Sequence, residues 1–154
     1  MAGLANHCPG EDLTKQIRIL LADDHKEMLT RVVHLLQDEF EVVGAVNDGQ
    51  ALIEAAAKLR PDVVILDISM PVMNGLEAAH RLKEAGCEAK VIFLTVHEDP
   101  DFVHESLVQG ALGYVVKPRL TSDLVPAIKE ALANRAFTSP LPQRGLSDGL
   151  RYSP

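Results

Sequence analysis

Five short, almost wholly aliphatic runs alternate with five stretches of helical periodicity, and that alternation leaves the chain few folds to choose from. The runs occupy residues 17–22, 42–46, 63–66, 91–94 and 114–116. Most are near-continuous in apolar residues, as expected of parallel strands covered on both faces. Between them, Met28, Leu29, Val32, Val33, Leu35 and Leu36 trace one helical stripe. Ala51, Leu52, Ala55, Ala56 and Leu59 trace a second, stopped at Arg60 by Pro61. Leu76, Ala79 and Leu82 make a third, ended by Gly86, and Phe102, Val103, Leu107 and Val108 a fourth, closed at Gly110. Leu124, Ile128, Ala131 and Leu132 make the fifth, with Thr121 and Ser122 as its expected caps and Pro126 near its first turn. Right-handed crossovers then give an α/β fold, an open doubly wound sheet of five parallel strands flanked by five helices. Sites in such sheets lie at the carboxyl ends of the strands.

The chain has 154 residues, enough for one well-buried domain and too few for two ordinary ones. Apolar residues are 47% of it but aromatics only 4%, so the core must be aliphatic. The net charge is −7, with Lys and Arg scattered, which argues against direct nucleic-acid binding. Cys8 and Cys87 form neither a disulfide framework nor a zinc site, as in a reducing compartment. The absence of a signal-like or membrane-length apolar stretch points to a cytoplasmic chain with no membrane contact. Residues 1–15 read as a flexible N-terminal arm and 16–135 as the folded domain. Residues 136–154, with three prolines and two glycines and no sustained apolar face, read as a linker or C-terminal tail.

The expected strand ends carry chemistry. Strand one ends at Asp23 and Asp24, strand three at Asp67, strand four at Thr95 and strand five at Lys117. Taken singly, the acidic pair is a helix cap, and Asp67 is a turn former, a salt-bridge partner, a metal ligand or a nucleophile. Taken together, three carboxylates, one hydroxyl and one ammonium converge in a shallow cleft. Like charges so close repel strongly, and Mg²⁺, which prefers carboxylate oxygens, is the natural remedy. No imidazole or thiolate pair suits zinc. In such a setting Asp67 is able to attack phosphorus, with Lys117 and Thr95 placed to bind phosphoryl oxygens.

The set Asp23-Asp24, Asp67, Thr95 and Lys117-Pro118 resembles the receiver domain of two-component response regulators, over roughly residues 17–135. The stretch LDISMPVMNG, residues 66–75, matches the family's phosphoacceptor loop. The resemblance implies the flavodoxin-like, CheY-like strand order 2-1-3-4-5. It implies a phosphoryl switch, not an enzyme acting on other molecules: the chain catalyses only its own phosphorylation and dephosphorylation. Asp67 is then the phosphoacceptor, served by a histidine kinase or phosphotransfer protein. Asp23, Asp24, Asp67 and the backbone carbonyl of Ser69 are the implied ligands of Mg²⁺, with Mn²⁺ as a substitute. Thr95, Lys117 and Tyr114 are the implied phosphoryl-binding and switch residues, Tyr114 rotating inward when Thr95 moves. The Lys117–Pro118 peptide is expected to be cis, and Ser69 and His97 to tune dephosphorylation. Val96, bulkier than the small residue many receivers carry there, is expected to narrow access for small phosphodonors.

The ADDH start and the segment ANRAFTSPLPQRGL resemble the NarL-type branch. There a similar segment leads to a DNA-binding domain, for which the nine residues from Leu146 are too few. The implied output is therefore a downstream protein or a homodimer, through the face of the fourth helix, fifth strand and fifth helix. The alternatives are a receiver fragment of a NarL-type transcriptional regulator and a phosphorylation-independent binding module. An aspartate-nucleophile phosphatase would want a second carboxylate two residues after its nucleophile on strand one, where His25 follows Asp23. A flavodoxin would want a Ser/Thr/Gly-rich phosphate loop in place of LLADDHKEML.

Overall fold

A computed structural model describes residues 17–141. The expected 1–15 arm, Cys8 and the end of the expected tail, 142–154, lie outside the described residues. Six parallel strands form one sheet: β1 (Arg18–Ala22), β2 (Glu41–Val46), β3 (Val63–Leu66), β4 (Lys90–Thr95), β5 (Gly113–Val116) and β6 (Phe137–Thr138). Their order is β2-β1-β3-β4-β5-β6, the doubly wound arrangement the alternation required, with one strand more than expected. The added strand, β6, pairs with β5 through only two rungs, Gly113 to Phe137 and Tyr114 to Thr138. Two residues are too few to leave a periodic signal, so the segment after residue 135 read as linker.

The helices are α1 (Lys26–Leu36), α2 (Gly49–Leu59), α3 (Gly75–Glu84), α4 (Pro100–Val108) and α5 (Leu120–Leu132). The pleat sorts strand residues to two faces. Leu20, Val64, Leu66, Phe93 and Tyr114 pack toward α2, α3 and α4. Ile19, Leu21, Ile65, Leu94 and Val115 pack with Val32 and Leu36 of α1 and Leu124 and Ile128 of α5. β3 and β5 are buried along their whole length, which accounts for their unbroken apolar sequence.

Local chemistry starts most helices at the sheet's carboxyl edge. Asp48, Asn74 and Asp99 cap α2, α3 and α4 through side-chain oxygens that accept from Ala51, Glu77 and Asp101 N–H. α5 departs from expectation. A short 3₁₀ turn, Lys117–Arg119, carries the chain directly into the helix, so Thr121 and Ser122 fall inside its first turn and do not cap it. Pro126 consequently lies in the helix interior rather than near its start. The Lys117–Pro118 bond is trans, as are all described peptide bonds, correcting the expected cis form. A trans Pro118 suits the second position of the 3₁₀ turn, where its missing N–H is not needed. No helix among the described residues is long and apolar enough to cross a membrane.

Candidate functional site

The carboxyl ends of β1, β3, β4 and β5 bring the five expected side chains to one edge of the sheet. Asp67 follows β3 and is 2% exposed. Its backbone is fixed by its N–H donating to Ala22 O and by close packing beneath α3. A Cβ on Gly75 would stand 2.0 Å from the Asp67 carbonyl oxygen, so only glycine lets α3 start against the acidic loop. The Asn-Gly pair at 74–75 thus supplies the helix cap and the clearance together.

Lys117 is buried and bridges two carboxylates. Its Nζ lies 2.9 Å from Asp67 Oδ2 and 2.8 Å from Asp23 Oδ2. Burial alone would pull the ammonium's pKa down. Hydrogen bonds to Asp23 and Asp67, and their negative charge, outweigh it and raise the pKa above the ordinary lysine value. Asp23 is fully engaged: its Oδ1 accepts from the His25 N–H at 2.8 Å and faces His25 Nδ1 at 3.1 Å. Sequence reasoning missed this Asp23–Lys117 pair, since a strand-end position says nothing of which carboxylate a lysine selects.

Asp67 Oδ1 is different. It is buried and has no hydrogen-bond partner. Ligand atoms of Asp23, Asp24, His25 and Asp67 all lie within 4.8 Å of one another, and Asp24 is exposed at the rim. Three carboxylates face a single ammonium there, and one buried oxygen lacks a partner. Such an oxygen is costly unless a cation or donor meets it. A hard divalent cation fits this donor set, because it is rich in carboxylate oxygens and Asp24 leaves one side open to water. His25 is the α1 N-cap residue and also borders this cluster.

The opposite lip is built around His97. Its N–H donates to Thr95 Oγ1 at 3.3 Å, and its carbonyl accepts from the Tyr114 hydroxyl at 2.7 Å. Its Nε2 is hydrogen-bonded to Ser69 Oγ at 2.7 Å, and its ring packs on Phe102 with centroids 4.5 Å apart. Tyr114 is already completely buried. Burial, then the charges of Asp67, Asp99 and Glu98, raise its pKa far enough to keep the hydroxyl protonated as a donor. Thr95 is buried, whereas Val96 is 60% exposed. In the β3–α3 loop, Val72 is 80% exposed and adopts φ 71°, a left-handed conformation rarely taken by β-branched residues.

A doubly wound parallel sheet with an acidic cluster and a buried lysine at its carboxyl edge defines a narrow class of switch-like domains. The chain belongs to the response regulator receiver domain family, whose model matches residues 19–129. Transcriptional regulatory protein YvfU of Bacillus subtilis (strain 168) is 36% identical over 126 residues, covering 80% of this chain and 63% of that protein. A two-component response regulator of the LuxR family from Aurantimonas sp. SI85-9A1 superposes with a TM-score of 0.76 at 30% identity, covering 80% of this chain and 89% of that one. The isolated REC domain of RcsB from Salmonella enterica serovar Typhimurium, solved with the phosphomimetic BeF3⁻, gives 0.74 at 28% identity, covering 80% and 94%. The chain spans between 54% and 63% of the length of the first curated relatives it matches.

Proposed function

We propose that Asp67 is the phosphoacceptor of a two-component receiver, with its buried, partnerless Oδ1 left for a divalent cation and its Oδ2, once Lys117 releases it, meeting phosphorus. The partnerless Oδ1 carries the reading, for it is buried beside the acidic cluster with nothing to balance it, while Oδ2 is held by Lys117. In the transfer, Oδ2 forms the new bond to phosphorus as the P–N bond to a donor imidazole breaks, and the imidazole leaves to take its proton from solvent. Mg²⁺ held by Asp24 and Asp67, with Asp23 and the Ser69 carbonyl beside them, supplies charge neutralisation when bound. Lys117 exchanges its bond to Asp67 for one to a phosphoryl oxygen. The Thr95 hydroxyl, which accepts from His97, turns its own proton toward the group.

The phosphoryl group adds about −1.5 to −2 charges and three acceptor oxygens. Because His97 binds Thr95 through its N–H and Tyr114 through its carbonyl, a shift of Thr95 reaches Tyr114 through the backbone of one residue. The α4–β5–α5 face is then the output surface, serving a protein effector or a second copy. Tyr114 is inward in this arrangement, and its hydroxyl's bond to the His97 carbonyl supports a switch that runs through that bond. The Ser69–His97 pair stands at the mouth of the cleft, where it governs the approach of the water that hydrolyses the aspartyl phosphate. The donor is a histidine kinase or phosphotransfer protein in the cytoplasm, and the domain's only catalysis is on itself.

A second reading concerns what the receiver drives. Relatives named as transcriptional regulators extend well beyond the matched length, which favours a DNA-binding output in a longer chain. The test of the receiver chemistry is a titration with beryllofluoride at rising Mg²⁺. Saturable, Mg²⁺-dependent binding by wild type that is lost in Asp67→Asn supports the reading, and binding indifferent to the mutation refutes it.

A further inference from the structure

We propose that Ser139, which lies beyond the family match, is a positioning residue for the phosphoryl site, fixing the turn that carries Lys117. The inference rests on the receiver reading above. Ser139 is 1% exposed, in a segment that composition assigns to a linker. The β5–β6 ladder ends at the Tyr114–Thr138 rung, and Ser139 continues it with both backbone and side chain. Its N–H donates to Tyr114 O at 2.8 Å, and its Oγ accepts from the Val116 N–H at 3.3 Å. The same hydroxyl donates to Asp123 Oδ2 at 2.7 Å. Asp123, also buried, takes further bonds from Arg119 Nε at 2.7 Å and Ser122 Oγ at 2.9 Å.

A hydroxyl offers one proton and two lone pairs, and this one uses its proton and a lone pair on opposite sides of a single turn. Val116 immediately precedes Lys117, and Asp123 lies in the first turn of α5. The intervening 3₁₀ turn, Lys117–Arg119, is thereby clamped at both ends. Arg119, the last residue of that turn, is tied to the same carboxylate. No side-chain cap holds the start of α5, so this clamp is what fixes the turn there. The reach of Lys117 is demanding, since one ammonium serves two buried carboxylates at 2.8 and 2.9 Å. A turn free to drift would loosen both contacts. The segment after β6 is consequently part of the phosphoryl site's scaffold.

The test is the affinity for beryllofluoride with saturating Mg²⁺, read by ¹⁹F NMR on the full chain, beside the melting temperature of each variant. Ser139→Ala should bind roughly three- to tenfold more weakly, the size of one lost hydrogen bond. Ser139→Thr, which keeps the hydroxyl, should restore the affinity. If Ser139→Ala fails to fold, Ser139→Cys, a weaker hydrogen-bonding group of similar shape, should show the same loss in lesser degree. A serine that merely stabilises the fold would lower the melting temperature and leave the affinity of the folded protein at the wild-type value, and that result overturns the proposal. Absence of binding by wild type would overturn the receiver reading, and this inference with it.

Discussion

Lys117 is the residue on which the buried charges balance. Replacing it by methionine leaves Asp23 and Asp67 facing each other without a counter-charge. Lys117→Met should therefore cost about 3 kcal/mol in metal-free buffer, measured by urea unfolding, and Mg²⁺ should recover part of the loss. The pH dependence follows from the direction of its shift. A lysine whose pKa is raised in the folded state stabilises fully below the unfolded value and loses that contribution as pH rises through the folded one. The stability gap between wild type and Lys117→Met should thus close only at pH above the ordinary 10.5. Val72 presents the opposite case, a side chain with little packing and a strained backbone. Val72→Asn, with a residue that tolerates positive φ, should stabilise the domain by about 1 kcal/mol in the same urea assay. The chemical types of Asp23, Asp24, Asp67, Thr95 and Lys117 were legible because strand ends announce themselves in sequence. The pairing of Lys117 with Asp23, and the left-handed Val72, were not, because both are set by packing between distant segments.

Among the elements, the β3–α3 connection is the most constrained. Gly75 sits where any side chain would strike the Asp67 carbonyl, and Gly75 N–H donates to Ile68 O. Gly75→Ala should destabilise by about 3 kcal/mol or more, visible as a large drop in melting temperature, because the colliding atoms are backbone and cannot swing away. The five main strands could be read from their apolar runs nearly to the residue; in β3 and β5 burial along the whole length leaves no room for polar residues, while the edge strand β2, with no buried residue, was legible from its β-branched run alone. The start of α5 could not. Thr121 and Ser122 looked like caps, but Pro118 turns the chain into the helix earlier and makes the helix begin before them. The expected cis bond failed for the same reason, a trans proline being well suited to the first residues of the 3₁₀ turn. β6 escaped notice because two rungs hold it and its most telling residue, Ser139, looks like any linker serine.

At the scale of the molecule, one sheet gathers its site at one edge while two apolar layers hold the strands in place. Asp123 ties the last helix to the last strand, and this contact has its own pH signature. Burial would push its carboxyl up, but hydrogen bonds from Arg119, Ser139 and Ser122, with the Arg119 charge, hold it below the usual range. A group so lowered stabilises above its unfolded pKa and ceases to as pH falls through the folded value. The advantage of wild type over Asp123→Asn in thermal unfolding should accordingly be full at neutral pH and fade below the ordinary 3.8. The account as a whole turns on whether Asp67 takes a phosphoryl group. Intact mass after incubation with Mg²⁺ and a small phosphodonor, for wild type and Asp67→Asn, asks this directly; a phosphohistidine-bearing kinase domain serves as a second donor because Val96 flanks the approach. The account predicts one added phosphoryl group on wild type, dependent on Mg²⁺ and absent from the variant. A phosphoryl group that persists in Asp67→Asn, or none on wild type from either donor, would contradict it.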